Sequence, residues 1–350
     1  MCSSDLWVKS TSENIGFDAN LFNNSISVSG DWFSRKFTGL PGNSTVNLPS
    51  TAGFGAPQVN LYSNQTRGFE FSFAYNGHIK DISFSITPNI SYTRTENLYA
   101  TTAQYSNSLQ KWTGGPNNRY TDITWGYEYI GQFTSMAQIA KAPIQDGNGN
   151  KTLLPGDLEY KDVNHDGVIS GADEVPIGRG SNPDMNYGLN ITATWKNFDF
   201  SVLGQGSADY SVMLQDELQS PFFNQANTFT YFLDRWHHEN IYDPNSPWTP
   251  GKYPSTRVGG TTSNDLPSTF WLTNVWYLRL KSTVIGYSLS KNFVKKLNVK
   301  QIRVYFTGQD LITLTNLKYF DPEMAVNGGS TRGQYYPQQR VLGFGVQVKL

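Results

Sequence analysis

From Asn14 onward the chain alternates apolar and polar residues with a period of two. Ile15, Phe17, Ala19 and Leu21 fall on one face of an extended segment, with Gly16, Asp18 and Asn20 on the other. Asn23-Asn24 is a tight-turn signal, and Ile26, Val28 and Trp32 resume the alternation against Ser27, Ser29 and Asp31, which predicts a hairpin. Gly39 to Asn60, rich in Gly, Pro, Ser and Asn, reads as a long loop. A second hairpin is clearer: Phe69, Phe71, Phe73 and Tyr75 alternate with Glu70, Ser72 and Ala74. After a turn expected around Asn76-Gly77, Ile82, Phe84, Ile86, Ile90 and Tyr92 oppose Ser83, Ser85, Thr87, Asn89 and Ser91. One face is apolar; the other carries small polar residues and hardly a charge.

The middle of the chain is less regular. Tyr99 to Pro155 scatters aromatic residues among Gly, Asn and Thr, with a short helix expected at Met136–Ala142. Strands return with Leu189, Ile191, Ala193 and Trp195, a turn at Lys196-Asn197, and Phe198, Phe200 and Val202. A second long loop is expected from about Tyr210 to Trp271. Three strands follow at Val275–Leu289, Gln301–Gln309 and Val341–Leu350, with Lys291, Lys295, Lys296 and Lys300 in a solvated connection. The last strand alternates Leu342, Phe344, Val346, Val348 and Leu350 with Gly343, Gly345, Gln347 and Lys349. About ten candidate strands result, each near the ~10-residue length that crosses a membrane in a barrel.

Polarity separates two architectures. A soluble sandwich buries its apolar face and usually decorates the other with Lys and Glu, whereas a transmembrane barrel turns apolar residues to lipid and polar ones to its lumen. Charged residues make up 16% of this chain, below the ~25% of an ordinary soluble domain. Aromatics reach 14%, and Gly is plentiful. Both shifts favour strands and turns, and an apolar terminal strand is an aggregation-prone edge unless it closes against another. Mean hydropathy is −0.46, and no run approaches the ~18 apolar residues of a spanning helix. A formal net charge of −1 supplies no basic field for nucleic acid. The lone cysteine, Cys2, rules out an internal disulfide framework, and Met1–Leu6 lacks the charged and apolar regions of a secretory signal.

Candidate chemistry concentrates in one stretch. Asp162, Asn164, Asp166, Gly167, Ile169 and Asp173 follow the order D-x-N-x-D-G-x-I-x-x-x-D, the spacing of a calcium loop. Oxygen ligands at Asp162, Asn164 and Asp166, the carbonyl of Val168 and the carboxylate of Asp173 would form the shell, with Gly167 allowing the sharp turn. Position 12 is Asp rather than the longer Glu, which predicts weaker binding. Pro155-Gly156 and Val175-Pro176 flank the loop instead of helices. A metal-free run of Asx turns is the competing description. His237, His238 and Glu239 lack a zinc-site spacing, and Gly178-Arg-Gly-Ser-Asn-Pro183 lacks the ending of a phosphate loop. Neither a Ser/His/Asp order nor paired carboxylates in a convincing context suggest an enzyme.

Several stretches together resemble the C-terminal part of SusC/RagA-type TonB-dependent outer-membrane transporters. They are Gly156-Asp-Leu-Glu-Tyr-Lys-Asp-Val-Asn-His-Asp-Gly167, Ile177-Gly178 with Asn182-Pro183, Tyr187-Gly-Leu-Asn190, and Phe198-Asp-Phe-Ser-Val202 with Gln205-Gly206. Leu278-Arg-Leu-Lys281, Gly286-Tyr-Ser-Leu289, Arg303-Val-Tyr305, Gly308-Gln-Asp-Leu311 and Phe320-Asp-Pro-Glu323 follow in order. The resemblance implies an all-β fold, the C-terminal part of a 22-stranded antiparallel transmembrane β-barrel with long extracellular loops. It implies an importer of glycans or peptides in the outer membrane of a Gram-negative bacterium. A SusD-like surface lipoprotein would cap it, and TonB would drive it through an N-terminal region that this fragment lacks. On that reading residues 13–350 are barrel, residues 1–12 a non-native or disordered start, and the loops at about 99–176 and 210–271 face outward. The Asp162–Asp173 loop carries over as a divalent-cation site.

The alternative is a self-contained, calcium-stabilised surface adhesin or carbohydrate-binding module. The outward positions discriminate. Phe84, Ile86, Phe200, Phe344 and Val346 should form a lipid-facing belt in a transporter and be buried against a second sheet in a module. Trp112, Trp125, Trp248 and Trp271 suit either sugar stacking or an interfacial and partner-docking role.

Overall fold

A computed structural model describes residues 7–43, 51, 53, 58–102, 104–257, 263–296, 299–323, 336 and 338–350. Met1–Leu6 and much of the expected loop between Gly39 and Asn60 lie outside the described residues. Nine long strands form one antiparallel sheet: β1 (Lys9–Leu21), β2 (Ile26–Asn43), β3 (Gln58–Ile79), β4 (Ile82–Tyr99), β5 (Met185–Trp195), β6 (Phe198–Met213), β7 (Leu272–Ser288), β8 (Gln301–Gln309) and β9 (Val341–Lys349). They lie side by side in chain order, and the short strands Thr313–Thr315 and Arg119–Tyr120 join β7 and β4. The sheet is open, with β1 and β9 at its edges.

Register aligns the period-two pattern across the sheet. Ile15 lies opposite Trp32, Trp32 opposite Phe69, and Phe69 opposite Tyr92. Further along, Ile86 pairs Ile191, Ile191 pairs Val202, and Phe306 pairs Phe344. One face is therefore apolar from the first strand to the last, while Ser85, Thr192 and Ser201 mark the other. Among the described residues no second sheet covers the apolar face. Phe344 is 84% exposed, Val346 63% and Phe200 37%, and Phe84 and Ile86 are only half-buried. A soluble sandwich would bury these positions, so the surface-module reading is not favoured.

Connections differ at the two ends. Short turns at Phe22–Ser25, Lys80–Asp81 and Lys196–Asn197 close one end, together with a connection containing the helical turn Lys291–Lys296. Long excursions leave from the other, after β4 and β6. Aromatic pairs mark both limits of the apolar face: Trp195 stacks on Phe198 and Phe198 meets Tyr287 near the short turns, while Phe69 stacks on Tyr92 towards the excursions. Ile82 to Tyr92 spans roughly 34 Å along the strand, or about 25 Å of height at a tilt of ~40°, close to the apolar band of a membrane barrel.

Two local expectations change. The β3–β4 turn lies at Lys80-Asp81 (Lys80 φ 52°), not at Asn76-Gly77. Both strands extend past Gly77 because Ile79 can pair with Ile82. The Phe84 ring occupies the space over Gly77, where a Cβ would stand 2.3 Å from it. β2 likewise runs through Gly39 to Asn43, and β3 begins at Gln58, which shortens the expected loop from both sides. The helix at Met136–Ile139 is present, capped by Ser135.

Candidate cation loop and the excursion that carries it

The two long excursions fold together. Tyr127, Leu158, Tyr160 and Ile169 from the first share a buried cluster with Tyr231, Phe232, Tyr253 and Trp271 from the second. Polar contacts tie the same pieces: Tyr160 Oη donates to the Ser263 carbonyl at 2.7 Å, Leu158 N to Asn264 Oδ1 at 2.9 Å, and Trp271 Nε1 to the Asn264 carbonyl at 2.7 Å. Asp157, fully buried, pairs with Arg257 and accepts from Asn264 Nδ2 at 2.9 Å. A buried carboxylate is tolerated only when its lone pairs are answered in this way.

The acidic loop sits on this assembly as a sequence of reciprocal turns. Asp162 Oδ1 accepts from His165 N at 2.7 Å and Oδ2 from Gly167 N at 2.8 Å. Asn164 Oδ1 accepts from Asp166 N at 2.9 Å, and Asp166 Oδ1 from Val168 N at 2.8 Å. His165 (φ 61°) and Gly167 (φ 82°) both adopt the left-handed backbone that reverses the chain. Asp173 is fully buried: Oδ1 accepts from Val163 N, Oδ2 from Ser170 N, each at 2.9 Å. Ile144 N donates to the Gly167 carbonyl and Ile169 N to the Ile144 carbonyl, a parallel bridge that clamps the loop while Ile169 packs into the core. Beside it, burial and the nearby Glu174 and Asp173 carboxylates push the Tyr127 phenol up to about 12.

Most of these oxygens accept one N–H and keep a second lone pair. Asp162, Asn164, Asp166 and the Val168 carbonyl thus present hard oxygen donors, the chemistry that suits calcium. Asp173 is committed more deeply to the backbone, as the acidic partner of a capping box at Gly171–Asp173. Among the described residues no three carboxylate, imidazole or thiol groups converge as a metal cluster.

A neighbouring turn went unnoticed in the sequence. In Asp146-Gly-Asn-Gly-Asn150, Asp146 accepts from the backbone of Asn148, Asn150 and Thr152 and from the Thr152 hydroxyl. Burial alone would raise this carboxyl, but those donors hold it at about 2. The D-x-N-x-N spacing was the available signal. Its role is to set Ile144 and Gln145, whose Nε2 reaches Ser263 Oγ at 2.9 Å.

Other residues singled out in the sequence find structural places. His237 and His238 point Nδ1 at the carbonyls of His238 and Ser246, and the His238 ring lies tilted by 35° against Trp248 with ring centres 3.9 Å apart. Trp271 is buried, whereas Trp112 is exposed and meets Trp125 edge-on beneath the Arg119 guanidinium.

Where the first excursion rejoins the sheet, Arg94 and Arg179 bracket Asp122 and Asp184. Arg94 Nε lies 2.9 Å from Asp122, and Arg179 Nη1 2.8 Å from Asp184, with Asp209 at 3.6 Å from Arg179. Burial, then the adjacent Asp122 carboxylate, pushes Asp184 up to about 7 from its usual 3.8. Asp122 is held low: burial acts against ionisation, but hydrogen bonds from Arg94 and Asp184 outweigh it. Asp184 therefore stabilises the fold most fully at acid pH, and that contribution is lost as pH rises from about 4 through about 7. Asp184→Asn is expected to flatten the fall in thermal midpoint over this window, as read by melting both proteins from about pH 4 to 8.

Several motifs that resemble the transporter family meet in space. Arg279, with its side chain 2% exposed, pairs with Asp321 at 2.7 Å and Glu323 at 3.0 Å. Lys281 reaches Glu323 at 2.8 Å and Asp310 at 3.3 Å. Asp199 and Arg303 pair across β6 and β8 over Gly286.

Known proteins give the same picture. TonB-dependent receptor P26 of Formosa agariphila is 25% identical over 361 residues, covering 98% of this chain and 34% of that protein. TonB-dependent receptor SusC of Bacteroides thetaiotaomicron is 27% identical over 332 residues, covering 91% of this chain and 30% of SusC. The chain is SusC/RagA-like along nearly its whole length. It spans about a third of these relatives. No family model matches it. Among solved structures, the RagAB peptide transporter superposes with a TM-score of 0.67 at 20% identity, covering 98% of this chain and 36% of that one. The RagAB peptide importer in its closed-closed state gives 0.69 at 22% identity, with the same coverage. At these identities the superpositions establish the fold of this SusC/RagA-like chain.

Proposed function

We propose that this chain is part of the barrel wall of a TonB-dependent importer in a Gram-negative outer membrane. The observation that carries the reading is the uncovered apolar face, continuous over nine strands and opposed by a polar one. Its relatives carry receptor and transporter names, which fits a protein that moves a substrate rather than converts one. The remaining strands, to a total of 22, would close the two open edges and remove their unpaired backbone groups from lipid. The joined excursions would face outward and meet a SusD-like lipoprotein, and a glycan or peptide would be the cargo. Within them, Asp162, Asn164, Asp166, Val168 and Asp173 would hold a calcium ion and stiffen the surface on which that partner rests.

Expression of the complete protein in a Gram-negative host, followed by membrane fractionation, tests this reading. Heat-modifiable migration in the outer-membrane fraction and uptake abolished without TonB are expected. A soluble, folded product would overturn it.

A further inference from the structure

On β2, β3 and β4 the outward face changes character within a few residues. Trp32, Phe69 and Tyr92 form one row across the strands. The next row outward, towards the long excursions, is Ser34, Arg67 and Arg94; the one beyond is Lys36, Gln65 and Glu96. A groove of about 240 Å³ opens where these rows meet, with Trp32, Phe69 and Tyr92 on its apolar side and Arg67, Arg94 and Tyr120 on its polar side.

The two arginines are differently placed. Arg94 is neutralised by Asp122, and its guanidinium lies 3.6 Å from the Tyr120 ring centre. Arg67 makes no ion pair among the described residues. It donates to Gln65 Oε1 at 2.6 Å, and Gln65 Nε2 in turn donates to Ser34 Oγ at 2.8 Å. That relay orients the guanidinium while leaving most of its five donors for another group. Glu96, one row further out, discourages an anion there and favours one level with Arg67.

We propose that this groove binds the phosphate of a membrane lipid whose acyl chains lie down the apolar belt. The inference rests on the barrel-wall reading above. A guanidinium fork matches phosphate geometry, and the pairing strengthens at the boundary where water thins out. Charge complementarity at Arg67 and direct continuity with the apolar rows select a lipid over a free ion, which would gain nothing from Trp32 and Phe69.

The test uses the complete detergent-purified protein, native mass spectrometry, and three probes: dioleoyl phosphatidic acid, dioleoylglycerol and inorganic phosphate. Phosphatidic acid should be retained in preference to dioleoylglycerol, and equimolar inorganic phosphate should not displace it. Arg67→Gln should weaken retention about tenfold, the loss of one charge-assisted contact. Arg35→Gln, the same charge change on the opposite face next door, should leave it unaltered. Equal retention by Arg67→Gln and wild type, an equal loss in Arg35→Gln, or no preference over dioleoylglycerol would each overturn the proposal. Heat-modifiable migration of every variant is scored alongside. If wild type itself lacks it, the barrel reading has failed and the lipid site falls with it.

Discussion

Arg279→Met is expected to destabilise the folded protein by about 3–5 kcal/mol, because it strands two carboxylates in a nearly dry site. Arg279 projects from the inner face of β7, where its Nε donates to Thr313 Oγ1 at 2.9 Å and its two terminal nitrogens hold Asp321 and Glu323. Those acids flank Pro322, which is fully buried and whose carbonyl accepts from Tyr210 Oη at 3.0 Å. Losing the guanidinium thus removes two ion pairs and leaves the Phe320–Glu323 segment held to the sheet by Tyr210 and Lys281. Lys281 alone would remain to offset Glu323 and Asp310. The thermal midpoint of the purified protein and the yield of the heat-modifiable form measure the loss. Combining Arg279→Met with Asp321→Asn and Glu323→Gln should recover much of it, since neutral partners no longer need a cation. If the triple variant is no better than the single one, unpaired charge is not the cause.

The second large effect is expected at Asp173. Replacement by alanine removes the acceptor for Val163 N and Ser170 N, and for Asn164 N at 3.4 Å, in a position without solvent access. An orphaned buried donor costs about 1–3 kcal/mol, and because Val163 and Asn164 are exposed and Ser170 half-buried, a local loss of about 1–3 kcal/mol in all follows. The loop is clamped to Ile144 and plugged by Ile169, so its opening should expose the first excursion to protease before the sheet melts. Limited proteolysis should therefore show early cleavage between Asn150 and Glu174 in Asp173→Ala, with or without calcium. Asp166→Asn separates the ion from the fold. Its amide oxygen keeps the acceptor for Val168 N while the charge is lost, so its stability should differ from wild type chiefly when calcium is present. A wild-type protein indifferent to both calcium and chelator would leave the loop as a hydrogen-bonded turn.

Much of the sheet was legible in the sequence, and for one reason. Side chains of a strand alternate between faces, so Phe69–Tyr75, Ile82–Tyr92 and Leu342–Leu350 declare their faces without knowledge of their neighbours. The turns at Asn23-Asn24 and Lys196-Asn197 were equally local. The acidic loop was readable too, because Asp162, Asn164, Asp166 and Gly167 build their turns with their own backbone.

What the sequence alone did not determine depends on which distant residues come together. Asn76-Gly77 looks like a turn and is strand, because the Phe84 ring needs the space that only glycine leaves. Trp271 looks like an exposed aromatic and is core, because the second excursion folds onto the first. Asp321 and Glu323 became partners of Arg279, and Asp199 a partner of Arg303, through strand register and a chain reversal. Arg67 stands beside Trp32 and Phe69 at the edge of the apolar face for the same reason. Alternation and turn chemistry act over a few residues and are written locally. Ion pairs, aromatic packing and grooves are set by register between strands far apart in sequence, and only the folded sheet fixes that register.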